Sequence, residues 1–133
     1  MKLTYAWGLL LILTLVSCKN ENKELYKRVM DTHDEVMPRM GEIERLKREL
    51  RDKISKSPDM IQERKEKLEQ IISNLDSASR SMMDWMHKFN PLPDTADQAK
   101  AKSYLEAEMV RIEKVKELML QSIQEANEAL KEQ

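Results

Sequence analysis

Glycine, cysteine, histidine and aromatic residues are all scarce in this 133-residue chain, and each scarcity excludes a kind of chemistry. Of the two glycines, Gly8 lies in an apolar stretch and Gly41 stands alone, so no glycine-rich loop can cradle a phosphate. The single cysteine, Cys18, rules out an internal disulfide. Neither of the two histidines, His33 and His87, falls in a serine, histidine and carboxylate set that the sequence alone suggests. Charge is almost balanced, with 23 basic and 24 acidic residues, which leaves no basic excess for nucleic acid. Strand-type alternation is absent after residue 18. These absences argue against an enzyme, and neither a small-molecule substrate nor a nucleic-acid partner is expected.

What is present begins at the amino terminus. Lys2 supplies a basic start, and an apolar run extends from Tyr5 to Val16, the layout of an export signal. This run is shorter than the ~20 residues a membrane-crossing helix needs. Leu15-Val16-Ser17-Cys18 follows, and it resembles the lipobox of bacterial lipoproteins. That resemblance implies cleavage before Cys18 and two or three acyl chains on it. A buried methylene contributes ~0.8 kcal/mol and a single chain binds only marginally, so several chains make a stable anchor. A signal-anchor helix is the rival reading, and the small Ser17 beside the only cysteine counts against it. On this reading residues 1–17 are a signal peptide, 18–24 are the lipidated cysteine and a polar spacer, and 25–133 are the folded body. Loss of Lys2 leaves 22 basic and 24 acidic residues, a net charge of −2. The expected place is the bacterial cell envelope. Lys19, where an aspartate favours inner-membrane retention in many bacteria, tilts it towards the outer membrane, on the periplasmic side or the cell surface.

The body reads as all-α. Val29, Val36, Met40, Ile43, Leu50 and Ile54 recur at helical spacing with Tyr26 and His33 in phase. Pro38 removes a backbone donor and crowds the carbonyl of Asp34, at ~3 kcal/mol. Gly41 adds roughly 1 kcal/mol. The apolar phase continues across both, which predicts one helix kinked near Pro38. Ser57-Pro58-Asp59 suits a cap, a first helical position and a first-turn acid for a second helix. Its seam is Leu68, Ile72, Leu75, Ser79, Met82, Met86 and Phe89, widened by Ile71, Ala78 and Trp85. Asn90-Pro91-Leu92-Pro93-Asp94 ends it, and Thr95 with Gln98 has capping-box spacing for a third helix running to about Leu130. Three helices of about 30 residues with short connections predict an up-down-up antiparallel three-helix bundle, each helix ~45 Å long. An extended, dimerising coiled coil is the alternative.

Methionine is the one abundant oddity, ten in all and nine after Met1. Met30 and Met37 flank His33, while Met83 and Met86 precede His87. A turn at 55–58 sets Met30 level with Met83 and Tyr26 level with His87, and Met109 joins from the third helix. Thioether and imidazole together suit Cu(I), which makes Met30, His33, Met37, Met83, Met86 and His87 a candidate metal set. Asp34 and Asp84 are candidate partners for the imidazoles. Ordinary core packing accounts for the same methionines and is the preferred reading, because thioethers fill irregular gaps and several fall on seam positions. Trp85 likewise reads first as packed against a neighbouring helix, and otherwise as part of a partner-binding groove.

The segments His33-Asp34-Glu35-Val36-Met37-Pro38-Arg39-Met40-Gly41 and Met82-Met83-Asp84-Trp85-Met86 resemble those of small helical lipoproteins of Bacteroidota, often automatically labelled "viral A-type inclusion protein". The resemblance implies a helical, lipid-anchored protein and carries no activity or cofactor. The expected role is therefore a non-enzymatic envelope lipoprotein, structural or contacting another envelope protein, bound to the membrane through its amino-terminal lipid. A periplasmic copper binder is the alternative, and an inhibitor or chaperone-like binder is a third.

Overall fold

The computed structural model describes residues 4–93 and 96–132, with side chains from Asn20 onward. Four α-helices follow in order: α1 (Thr4–Val36), α2 (Met40–Ser55), α3 (Gln62–Lys88) and α4 (Gln98–Lys131). A single 3-10 turn, Met37–Arg39, joins α1 to α2. There is no strand among the described residues, and no helix among them is long and apolar enough to cross a membrane. Cys18 falls within the span of α1, and its side chain lies outside the described residues.

The effect of Pro38 is local. A proline inside an α-helix forfeits an i→i−4 hydrogen bond. Here the chain tightens to i→i+3 bonding, with the Met40 amide donating to the Met37 carbonyl. Val36 (φ −105°, ψ −21°) and Arg39 (φ −71°, ψ −10°) keep right-handed helical angles. The direction of the chain survives, and buried Val36 and Ile43 on either side point into the same core.

Helical spacing of apolar residues builds that core. Val29, Val36, Ile43, Leu46 and Leu50 enter from α1 and α2, Leu68, Leu75 and Met82 from α3, and Ile112, Met119 and Ile123 from α4. Full burial of each such side chain contributes roughly 1.5–3 kcal/mol. On α3 the buried stripe lies towards the Ile71, Ala78 and Trp85 flank, while Ser79, Met86 and Phe89 are only half-buried. The reason is that α3 packs against both α2 and α4.

Polar contacts give the directions. Glu21 meets Lys102, Glu35 meets Lys116, and Lys53 donates to the carbonyls of Ala129 and Leu130, so α1 and α2 rise together with α4. Lys47 meets Asp76 and His33 meets Met86, so α3 runs the other way. The helices form a bundle within one chain.

Two local expectations are corrected. Ser57 does not cap α3: its carbonyl accepts from the Met60 amide at 3.0 Å, closing a turn over Pro58 and Asp59, and α3 starts at Gln62 with Ile61 at its cap position. Proline at the second position of such a turn has its φ already set, so the same residues serve a turn as well as a helix start. The start of α4 is capped by Asp97, whose Oδ1 accepts from the amides of Ala99 and Lys100 at 2.9 and 3.0 Å. Thr95, the expected cap, lies outside the described residues. Contacts with α4 also reach upstream of Leu25: Asn22 is buried and Glu21 pairs with Lys102.

Candidate functional site

The aromatic residues of the body collect in one place. Phe89 stacks on Trp85 with ring centroids 4.7 Å apart, and Tyr26 and Tyr104 approach Phe89 at 6.1 and 6.2 Å. His33 extends the row, its ring centroid 5.6 Å from that of Trp85. Helices α1, α3 and α4 thus each contribute a ring. Helix α3 ends here because Phe89 leaves the helical region (φ −67°, ψ 114°), while its amide still donates to the Trp85 carbonyl at 2.8 Å. The next amide, of Asn90, donates to the Tyr104 hydroxyl at 2.7 Å, which fixes the exit of the chain.

His33 sits near the end of α1 with both ring nitrogens engaged. Nδ1 lies 2.8 Å from Oδ1 of Asp34, and Nε2 lies 3.3 Å from Sδ of Met86. Of the six residues of the candidate metal set, His33 and Met86 are brought into contact. Met30 and Met37 are half-buried on the same helical run, whereas Met83 and His87 are exposed on α3. A turn at 55–58 would have set His33 beside Arg80. The connection occupies residues 56–61 instead, which slides α3 along so that Met86 reaches the imidazole and Tyr26 meets Phe89. Met82 and Met119 are fully buried core residues, and Met40, Met60 and Met109 pack against the core. No group of three or more His, Cys, Asp or Glu that could hold a metal occurs among the described residues.

Beside the stack lies a cleft of about 330 Å³ lined by Asn22, Lys23, Tyr26, Pro91, Leu92, Gln98 and Leu105. Asn22 is buried, and its Nδ2 donates to both the carbonyl and the Oε1 of Gln98 at 3.0 Å. Both partners are acceptors, which fixes the amide orientation and leaves Oδ1 buried without a hydrogen-bond partner among the described residues. Nothing in the sequence pattern marks Asn22, because it precedes the first periodic apolar residue.

Two charged residues inside the bundle also escaped the periodicity reading. Lys47 is buried, with Nζ 2.5 Å from Oδ1 of Asp76 and 2.9 Å from Oε1 of Glu44. The hydrogen bond that Lys47 donates to Asp76 raises the pKa of Lys47, and burial opposes it. The hydrogen bond from Lys47 holds the Asp76 carboxyl below the usual range against the effect of burial, helped by the charges of Lys47, Arg51 and Arg80. Glu108, 2% exposed, is held by Arg111, whose own side chain reaches solvent. A signal existed for both: Lys47 falls between Ile43 and Leu50, and Glu108 between Leu105 and Ile112, on the buried stripes.

No protein-family model, no curated protein and no solved structure matches this chain.

Proposed function

We propose that the chain is a non-enzymatic lipoprotein of the bacterial cell envelope, anchored through acyl chains on Cys18. The mature body is an up-down-up three-helix bundle that stands off the membrane as a spacer or as a contact module for another envelope protein. The observation that carries this reading is Leu15-Val16-Ser17-Cys18 at the end of a short apolar run with a basic start. Likeness to the small helical lipoproteins of Bacteroidota supports it, and Lys19 after the cysteine favours the outer membrane. The side chains gathered at the aromatic row are rings, the Met86 thioether and one imidazole with Asp34 beside it, a set that supports packing and recognition.

Metabolic labelling with palmitate tests the anchor. The parent chain incorporates label and sediments with membranes, and Cys18→Ala abolishes both. Label retained in Cys18→Ala would sink the reading. Capture of the anchored protein from solubilised envelopes, with the Cys18→Ala chain as control, tests the contact role by recovering a stoichiometric envelope protein.

A further inference from the structure

His33 and Met86 bring two donor atoms, an imidazole nitrogen and a thioether sulfur, to 3.3 Å of one another. An ionised carboxylate only accepts hydrogen bonds, so the contact with Asp34 at 2.8 Å places the ring proton on Nδ1. In the neutral imidazole, Nε2 then carries the free lone pair and lies 3.3 Å from Sδ of Met86. Thioether sulfur is itself a lone-pair carrier. Two such atoms facing one another call for a Lewis acid, either a second ring proton or a soft cation.

We propose that His33 and Met86 are the first two ligands of a Cu(I) site, with Met37 as the third and Trp85 as its aromatic wall. The site stands apart from the anchoring reading and does not depend on it. Imidazole with thioether suits Cu(I) by softness, and hard divalent cations find no carboxylate cage among the described residues. Asp34 orients the ring from the far nitrogen, as the outer partner of a ligating histidine does. Metal–nitrogen and metal–sulfur bonds of about 2.0 and 2.3 Å span this separation only at an angle of about 100°. A cation so bound is bent rather than linear and takes a further donor. Met37, four residues after His33 and half-buried against the core, is in phase to supply it. The indole of Trp85, 5.6 Å from the imidazole, stands close enough for its face to stabilise a cation there. His33 keeps 16% of its side chain exposed, which gives a cation a way in, while Trp85 beside it is buried.

The test uses the full chain in detergent with Trp7→Phe, which leaves Trp85 as the only tryptophan. Cu(I) is delivered anaerobically from a chromophoric chelator, and affinity and Trp85 emission are followed together. One Cu(I) per chain binds more tightly than micromolar and quenches Trp85. Met86→Leu, which conserves volume, and His33→Gln each weaken binding by at least about tenfold while circular dichroism stays helical. Met60→Leu, in the 56–61 connection and outside the candidate set, leaves the affinity unchanged. His33→Gln decides the matter alone if Met86→Leu disturbs folding. Absence of sub-micromolar binding in the parent overturns the proposal, as does binding that His33→Gln leaves intact.

Discussion

Single residues set the energetic character of this bundle, because a few charges lie where apolar side chains are expected. Lys47 and Asp76 stabilise each other across α2 and α3 through a short charge-assisted hydrogen bond. Asp76 is depressed below its ordinary value of 3.8, so its contribution is present above about that pH and is lost as pH falls through the folded value. Lys47 is raised above 10.5, so its share is complete below that value and is lost only as pH rises beyond it. Asp76→Asn is expected to cost about 1.5–3 kcal/mol at neutral pH and to flatten the acid limb of stability against pH. Urea unfolding of both chains from pH 7 to 3 measures this, and parallel curves would remove Asp76 as the cause. Glu108 gives the opposite sign. Its carboxylate is buried while Arg111 reaches solvent, so Glu108→Leu removes the buried charge and strands none. Stability in urea is expected to hold or to rise by up to about 2 kcal/mol, whereas Arg111→Ala lowers it by about 1–3 kcal/mol.

At the scale of elements, backbone rules and tertiary contacts divide the outcome. Gly41 lies in the first turn of α2, and a Cβ added there meets nothing within 4 Å. Gly41→Ala is expected to stabilise by about 0.5–1 kcal/mol, raising the thermal midpoint. Asp97→Ala removes the acceptor of two α4 amides and is expected to cost about 1 kcal/mol, read from the same melt. All-helical character was readable from the recurrence of Val29, Val36, Ile43 and Leu50, and of Leu105, Ile112, Met119 and Ile123, because helical phase is a property of the sequence itself. The ends of helices were less so. Ser57-Pro58-Asp59 satisfies the rules of a helix start and of a turn equally well, and the choice fell to the turn. Asp97 and Thr95 are both competent caps, and the bond from Asn22 to Gln98 holds the chain where Asp97 caps α4. The pairing of His33 with Met86 followed from those ends: a longer connection slid α3 along its neighbour, which no local pattern encodes.

For the whole molecule, the two ends of the bundle differ, and the proposed anchor gives that difference a direction. At one end Asn22 binds Gln98, and the cleft, the aromatic row and the 90–93 connection lie together. At the other, Lys53 and Arg64 donate to carbonyls at the end of α4, which complements the negative pole of that helix beside the 56–61 connection. From Asn22 to Ile54 a helical rise of 1.5 Å per residue gives roughly 50 Å. With Cys18 one turn before Asn22, a bilayer holding the acyl chains lies next to Leu92 and far from Asp59. Fluorescent labels on Leu92→Cys and Asp59→Cys in the lipidated chain read this directly, since acylated Cys18 offers no competing thiol. Leu92 is 42% exposed and accepts a label without disturbing the core. Reconstituted into vesicles containing lipids with a quencher on the acyl chain, the label at 92 is expected to be quenched and the label at 59 to remain bright. Equal quenching at both sites would mean that the rod lies along the surface, and the spacer role would fall while the acyl anchor stood.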